Sequence, residues 1–199
     1  KAMKSVVTAN KVSPRQVGAG MATSMNESNV DIRINGNVSY GRDNLKSLIV
    51  NGETTLYGTT IRQKLIVRGQ TNVVNGQLNQ IQVYGALNLF GVKVVGPTVV
   101  FGTLKWNQVI ANGGDLTVQG QTQIMDSQIN GAIMATGAFT LNQSSVKGPV
   151  KVAANKVILD DSIVPSITVT DKQNPAVLVL KDTTVTGNVQ FDGIRGIVK

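Results

Sequence analysis

The sequence predicts an all-β fold, a single-domain parallel β-helix. Three observations carry the prediction: a repeat of about seventeen residues, period-two alternation inside each unit, and β-branched residues in the apolar positions. Each unit is expected to form one coil, and about ten coils follow one another over residues 30–199.

The repeat shows first in the segments LIVNG, LIVRG, IQVYG and LTVQG, which end at Gly52, Gly69, Gly85 and Gly120. Extending the register gives Gly36, Gly52, Gly69, Gly85, Gly102, Gly120, Gly137, Ala154, Asp171 and Gly193. The spacing stays between 16 and 18 until a last gap of 22, where KQNPA (172–176) reads as an inserted loop. A marker glycine at the end of a strand suits a corner with positive φ; Asp171 is a tolerated substitute there and Ala154 a less comfortable one.

Flanking positions keep their character. Two residues before the marker stand Ile34, Val50, Val67, Val83, Val100, Val118, Ala135, Val152, Val169 and Phe191. Four before it, only Thr98 interrupts an apolar column. Four after it come Tyr40, Leu56, Val73, Leu89, Trp106, Ile124 and Leu141. Five places further lie Leu45, Ile61, Leu78, Val94, Ile129, Val146 and Val185, with Ile110 and Ile163 read as displaced by one.

Alternation such as Ile81-Gln82-Val83 means a strand with one face buried. At ~3.3 Å per residue, a unit of this length has a perimeter of roughly 55 Å, enough for one triangular coil of three short strands. Equivalent residues then stack ~4.8 Å apart and form apolar ladders inside a coil expected to be right-handed. No stretch shows the 3.6-residue stripe of an amphipathic helix.

Residues 1–29 precede the repeat and read as a polar, basic arm or cap carrying Lys1, Lys4, Lys11 and Arg15. The formal charge is +8, and residues 1–68 hold 10 basic and 4 acidic side chains against 9 and 7 in the remainder. No apolar run reaches the ~20 residues of a membrane-spanning helix. Without Cys or His, thiol nucleophiles, disulfides, sulfur or imidazole zinc sites and His-based catalysis are excluded. No cofactor or metal is expected.

Two groups of side chains are candidates for function. Asp126, Gln143, Asp161 and Asp182 fall at one register position, so Asp161 and Asp182 would stand about 5 Å apart, the carboxylate separation of retaining glycosidases, with Asp160 beside them. The ordinary reading of an acid beside a turn is a local hydrogen-bond acceptor. Lys46, Arg62, Lys64 and Arg68, preceded by Arg33 and Arg42, would form a positive patch near the start of the rod. Such a patch suits an anionic glycan, an anionic surface or a protein partner. It is equally the kind of solvated face that keeps a rod soluble. Nucleic acid is not the expected partner, since only Tyr57 and Tyr84 offer outward aromatic rings.

The repeated LxVxG units of short triangular coils resemble bactofilin β-solenoids, bacterial scaffolds that polymerise end to end. They are equally similar to exported bacterial β-solenoids built from V-x-G units. The first resemblance implies self-association through coil ends and a cytoplasmic setting. The second implies the periplasm, cell surface or medium. The resulting expectation is a non-enzymatic structural or interaction protein presenting a rigid surface, with a polymerising scaffold and a glycan-active enzyme as alternatives.

Overall fold

The computed structural model describes residues 27–171, 175–193 and 195–199. All its regular structure is β: 26 strands in one continuous sheet, every pair parallel, wound into about ten coils. The basic arm expected over 1–29 lies outside the described residues up to 26, and so do 172–174 of the expected loop.

Each coil contributes one strand to each of three faces. Lys64–Arg68, Leu116–Gln119 and Ile133–Thr136 lie on the first, Thr54–Tyr57, Thr71–Val74 and Thr122–Met125 on the second. The third carries two-residue strands such as Thr60–Ile61 and Gln77–Leu78. In two coils a single strand, Gln80–Phe90 or Thr98–Asn107, runs through the first corner and serves two faces. The first strand, Glu27–Asn35, starts ahead of the boundary at residue 30, pairing Glu27 with Asn44 and Ser28 with Leu45.

Register follows the repeat. Val67 pairs with Val83, Val83 with Val100, and Val100 with Val118, and all four side chains are fully buried. Leu45, Ile61, Leu78 and Val94 form the equivalent file on the third face. Burying each such side chain contributes about 1.5–3 kcal/mol, and a parallel sheet covered by its own opposite walls needs no other layer.

The structure corrects two details. Ile110 and Ile163 do not point inward: they are exposed, and Ala111 and Val164 fill the third-face file. The marker glycines from Gly36 to Gly137 do have positive φ, between 92° and 150°, but neither Ala154 nor Asp171 does. The first corner therefore changes conformation in the later coils, and no side chain there is forced into the left-handed region.

Hydroxyl side chains hold the second corner together. Ser127 Oγ accepts the Val109 N–H at 3.1 Å, Ser144 Oγ accepts the Ser127 N–H at 3.0 Å, and Ser162 Oγ accepts the Ser144 N–H at 3.2 Å. Each hydroxyl donates to the carbonyl two residues before it, at 2.8 Å. The file satisfies inward N–H groups that the strands leave unpaired where the chain bends.

Candidate functional site

The four basic candidates are placed in two groups. Lys46 and Arg62 follow Leu45 and Ile61, which pair, so they stand side by side where the third face turns into the first. Lys64 opens the next first-face strand, and Arg68 lies at that strand's far end, one position before Gly69. One corner does not collect them all.

Arg62 is tied into the fold. Its Nη2 donates to the carbonyl of Ser28 at 2.8 Å and to Asn29 Oδ1 at 2.9 Å, and its Nη1 bonds Asn44 Oδ1. The side chain clamps the first strand onto the next two coils. Arg33, Lys46, Lys64 and Arg68 enter no ion pair among the described residues.

Arg68 begins a stack along the outer side of the first face. Its guanidinium carbon lies 5.0 Å from the centre of the Tyr84 ring, and Tyr84 stacks on Phe101 with ring centres 5.1 Å apart and planes inclined by 5°. These three residues are register partners in successive coils. Cation–π and stacking contacts of this kind hold an arginine outward and in place. Both faces of the Tyr84 ring are thereby covered, so it presents an edge and no open platform. The stack was legible in the sequence, since Arg68, Tyr84 and Phe101 each precede a marker glycine.

Beside Arg68 a shallow groove of about 250 Å³ lies between the two outward columns of the first face. Arg33 and Arg68 stand at its ends, Asn35, Asn51, Ile49 and Ile66 along its sides. Asn51 Nδ2 donates to Asn35 Oδ1 at 3.2 Å. No carboxylate lines it.

The acidic candidates do stack at the second corner. Asp126, Gln143, Asp161 and Asp182 adopt the left-handed conformation, with φ between 46° and 49°. Each backbone N–H of the first three donates to the carbonyl just before the next corner residue, as Asp161 does to Lys181 at 2.8 Å. Asn75, Gln108, Gly58 and Gly91 continue the column with positive φ. Asp and Asn tolerate that region better than other side chains, which gives these acids a conformational reason to be there. They border a polar groove of about 710 Å³ together with Gln128, Ser145 and Thr184. Asp160 is not in that column: it belongs to the second face, paired with Asn142 and Lys181. Among the described residues no three or more acids converge on a position for a metal ion.

The second face carries a further trench, of about 420 Å³, which sequence reasoning did not single out. It runs between the outward columns Asn72–Asn88–Lys105–Gln123–Thr140 and Val74–Phe90–Asn107–Met125–Asn142. The repeat fixes where such columns lie, but a trench depends on side-chain size in neighbouring coils.

No family model, curated protein sequence or solved structure matches the chain. The likeness to bactofilins therefore rests on coil length and hydrophobic pattern.

Proposed function

We propose that this protein is a non-enzymatic interaction protein whose rigid solenoid binds anionic polymers along the first face of its early coils. The observation that carries the reading is the set of cations there: Arg33, Lys64 and Arg68 are exposed and enter no ion pair among the described residues. Arg68 is held outward by the Tyr84 ring, and the groove between Arg33 and Arg68 has one wall of amides, Asn35 and Asn51, one of Ile49 and Ile66, and no acid. A guanidinium oriented by the fold gives up less side-chain entropy when it meets a carboxylate or sulfate. Lys64 and Arg68 stand at the two ends of one strand and Arg33 lies two coils earlier, so the three cations span a surface that an extended polymer would bridge. An exported setting, which the likeness to exported solenoids suggests, fits this reading.

The test is retention on an immobilised sulfated or carboxylated polysaccharide across a salt series. Binding should weaken as salt rises, because exposed charges are screened within ~10 Å at 0.1 M. The triple variant Arg33→Gln, Lys64→Gln, Arg68→Gln should lose most of it, whereas Arg62→Gln should first loosen the strand start at Ser28. Retention that ignores both salt and the triple variant overturns the reading. Filaments that grow with protein concentration, without polymer retention, would replace it with the end-to-end scaffold.

A further inference from the structure

The second-face trench has the chemistry of a sugar-binding groove. Its middle is a notch: Phe90, Asn107 and Met125 are register partners in three successive coils. The two long side chains, 42% and 43% exposed, flank the shorter amide. At ~4.8 Å per coil these jaws stand about 10 Å apart, room for one ring lying between them. Asn107 lines the trench between them, and its Oδ1 is buried and accepts no hydrogen bond. An unpaired buried acceptor is costly, and turning this amide outward onto a ligand hydroxyl would remove that cost. Lys105, exposed and without an ion pair among the described residues, lies two positions away on the same strand.

Three features together select the ligand. The jaws offer apolar contact to the C–H face of a ring, Asn107 Oδ1 lacks a donor, and the exposed Lys105 ammonium offers an anion a salt-screened attraction. The trench extends over five coils and is lined by no carboxylate. Above the notch, Asn88 Nδ2 donates to Asn72 Oδ1 at 2.8 Å, so the free edges of these amides continue the polar wall. We propose that this trench binds a linear polysaccharide bearing carboxylates, with one pyranose ring between Phe90 and Met125, a ring hydroxyl donating to Asn107 and a carboxylate meeting Lys105. The site lies on a different face from Arg33, Lys64 and Arg68, and the proposal stands without the cation-based reading.

Trp106, the only tryptophan, sits between Lys105 and Asn107 with its side chain buried beneath the trench, and reports on it. The experiment titrates the full chain with short oligogalacturonates and with neutral cello-oligosaccharides of equal length, following Trp106 fluorescence and binding heat. Saturable binding of the acidic oligomers is expected. Phe90→Ala and Asn107→Ala should weaken it by about tenfold or more, and Lys105→Gln should bring it down to the level of the neutral oligomers. Parent-like melting of these surface variants would show that they fold. No saturable signal with either series, or variants that bind like the parent, would overturn the site. Equal affinity for acidic and neutral oligomers would overturn the carboxylate contact. Because the triple first-face variant keeps this trench, loss of oligomer binding in that variant would also count against the assignment.

Discussion

Ser144 Oγ accepts the backbone N–H of Ser127 at 3.0 Å and donates to the carbonyl of Asn142 at 2.8 Å. One hydroxyl thus joins two coils at a corner where the Ser127 N–H has no backbone acceptor. Ser144→Ala leaves the Ser127 N–H without its acceptor in the interior, at a cost of about 1–3 kcal/mol. Ser145→Ala, one residue on and facing outward, should stay within about 0.5 kcal/mol. Urea unfolding of the two variants checks the contrast, and equal effects would contradict it.

The glycines of the first corner are not interchangeable. A Cβ on Gly120 would run into the carbonyl oxygen of Gly102, one coil earlier, whereas a Cβ on Gly36 would meet nothing within 4 Å. Both have positive φ, 138° and 122°, so both substitutions carry backbone strain of about 1–3 kcal/mol. Gly120→Ala adds a collision with backbone and should be the more destabilising by thermal melting. A larger loss for Gly36→Ala would contradict the stacking of these corners.

Much of the architecture was legible because buried ladders leave a periodic record: Val67, Val83, Val100 and Val118 recur with the coil and pair in space. Two positions depart from that record for local reasons. Ala111 is a faint apolar signal, so the neighbouring Ile110 attracts the assignment although it is exposed. Around Ala154 the turn is longer: Gly137 precedes Phe139 by two positions, Ala154 precedes its equivalent Val157 by three, and Val164 displaces Ile163. The acidic column was placed correctly from spacing, but its left-handed backbone was not foreseen. Arg62 looked like its basic neighbours in sequence, and only its partners Ser28, Asn29 and Asn44, distant along the chain, show that it clamps the first strand.

Threonines in the second-face file are candidates for stabilisation. Thr54, Thr71 and Thr122 are fully buried, and their hydroxyls have no hydrogen-bond partner. Valine has nearly the same shape without the polar atom, so Thr71→Val should raise stability by about 1 kcal/mol. A loss of stability on urea unfolding would show that the hydroxyl is satisfied in solution.

Tyr40 makes stability sensitive to alkali. Burial first, and then the charge of Asp43, push its phenol well above the ordinary value. An unfolded tyrosine ionises near pH ~10, so the folded state holds its proton over a range where the unfolded state releases it. The contribution is complete below pH ~10 and is lost as pH rises beyond it. Its hydroxyl has no hydrogen-bond partner, so Tyr40→Phe should cost little at neutral pH. Above pH ~10 the variant should lose stability less steeply than the parent, and parallel pH profiles would contradict this.

The winding itself is tested most directly by cross-linking, which the natural absence of cysteine makes clean. Thr117 and Met134 are register partners on the outer side of the first face, whereas Met125, nearer to Thr117 in sequence, faces outward on the second. Parallel neighbours ~4.8 Å apart fall within the ~4.4–6.8 Å Cα range of a disulfide. Oxidation should close the bond between cysteines at 117 and 134 and leave the 117/125 pair open; closure of 117/125 alone, or of neither, would contradict the coil register on which both proposed binding surfaces depend.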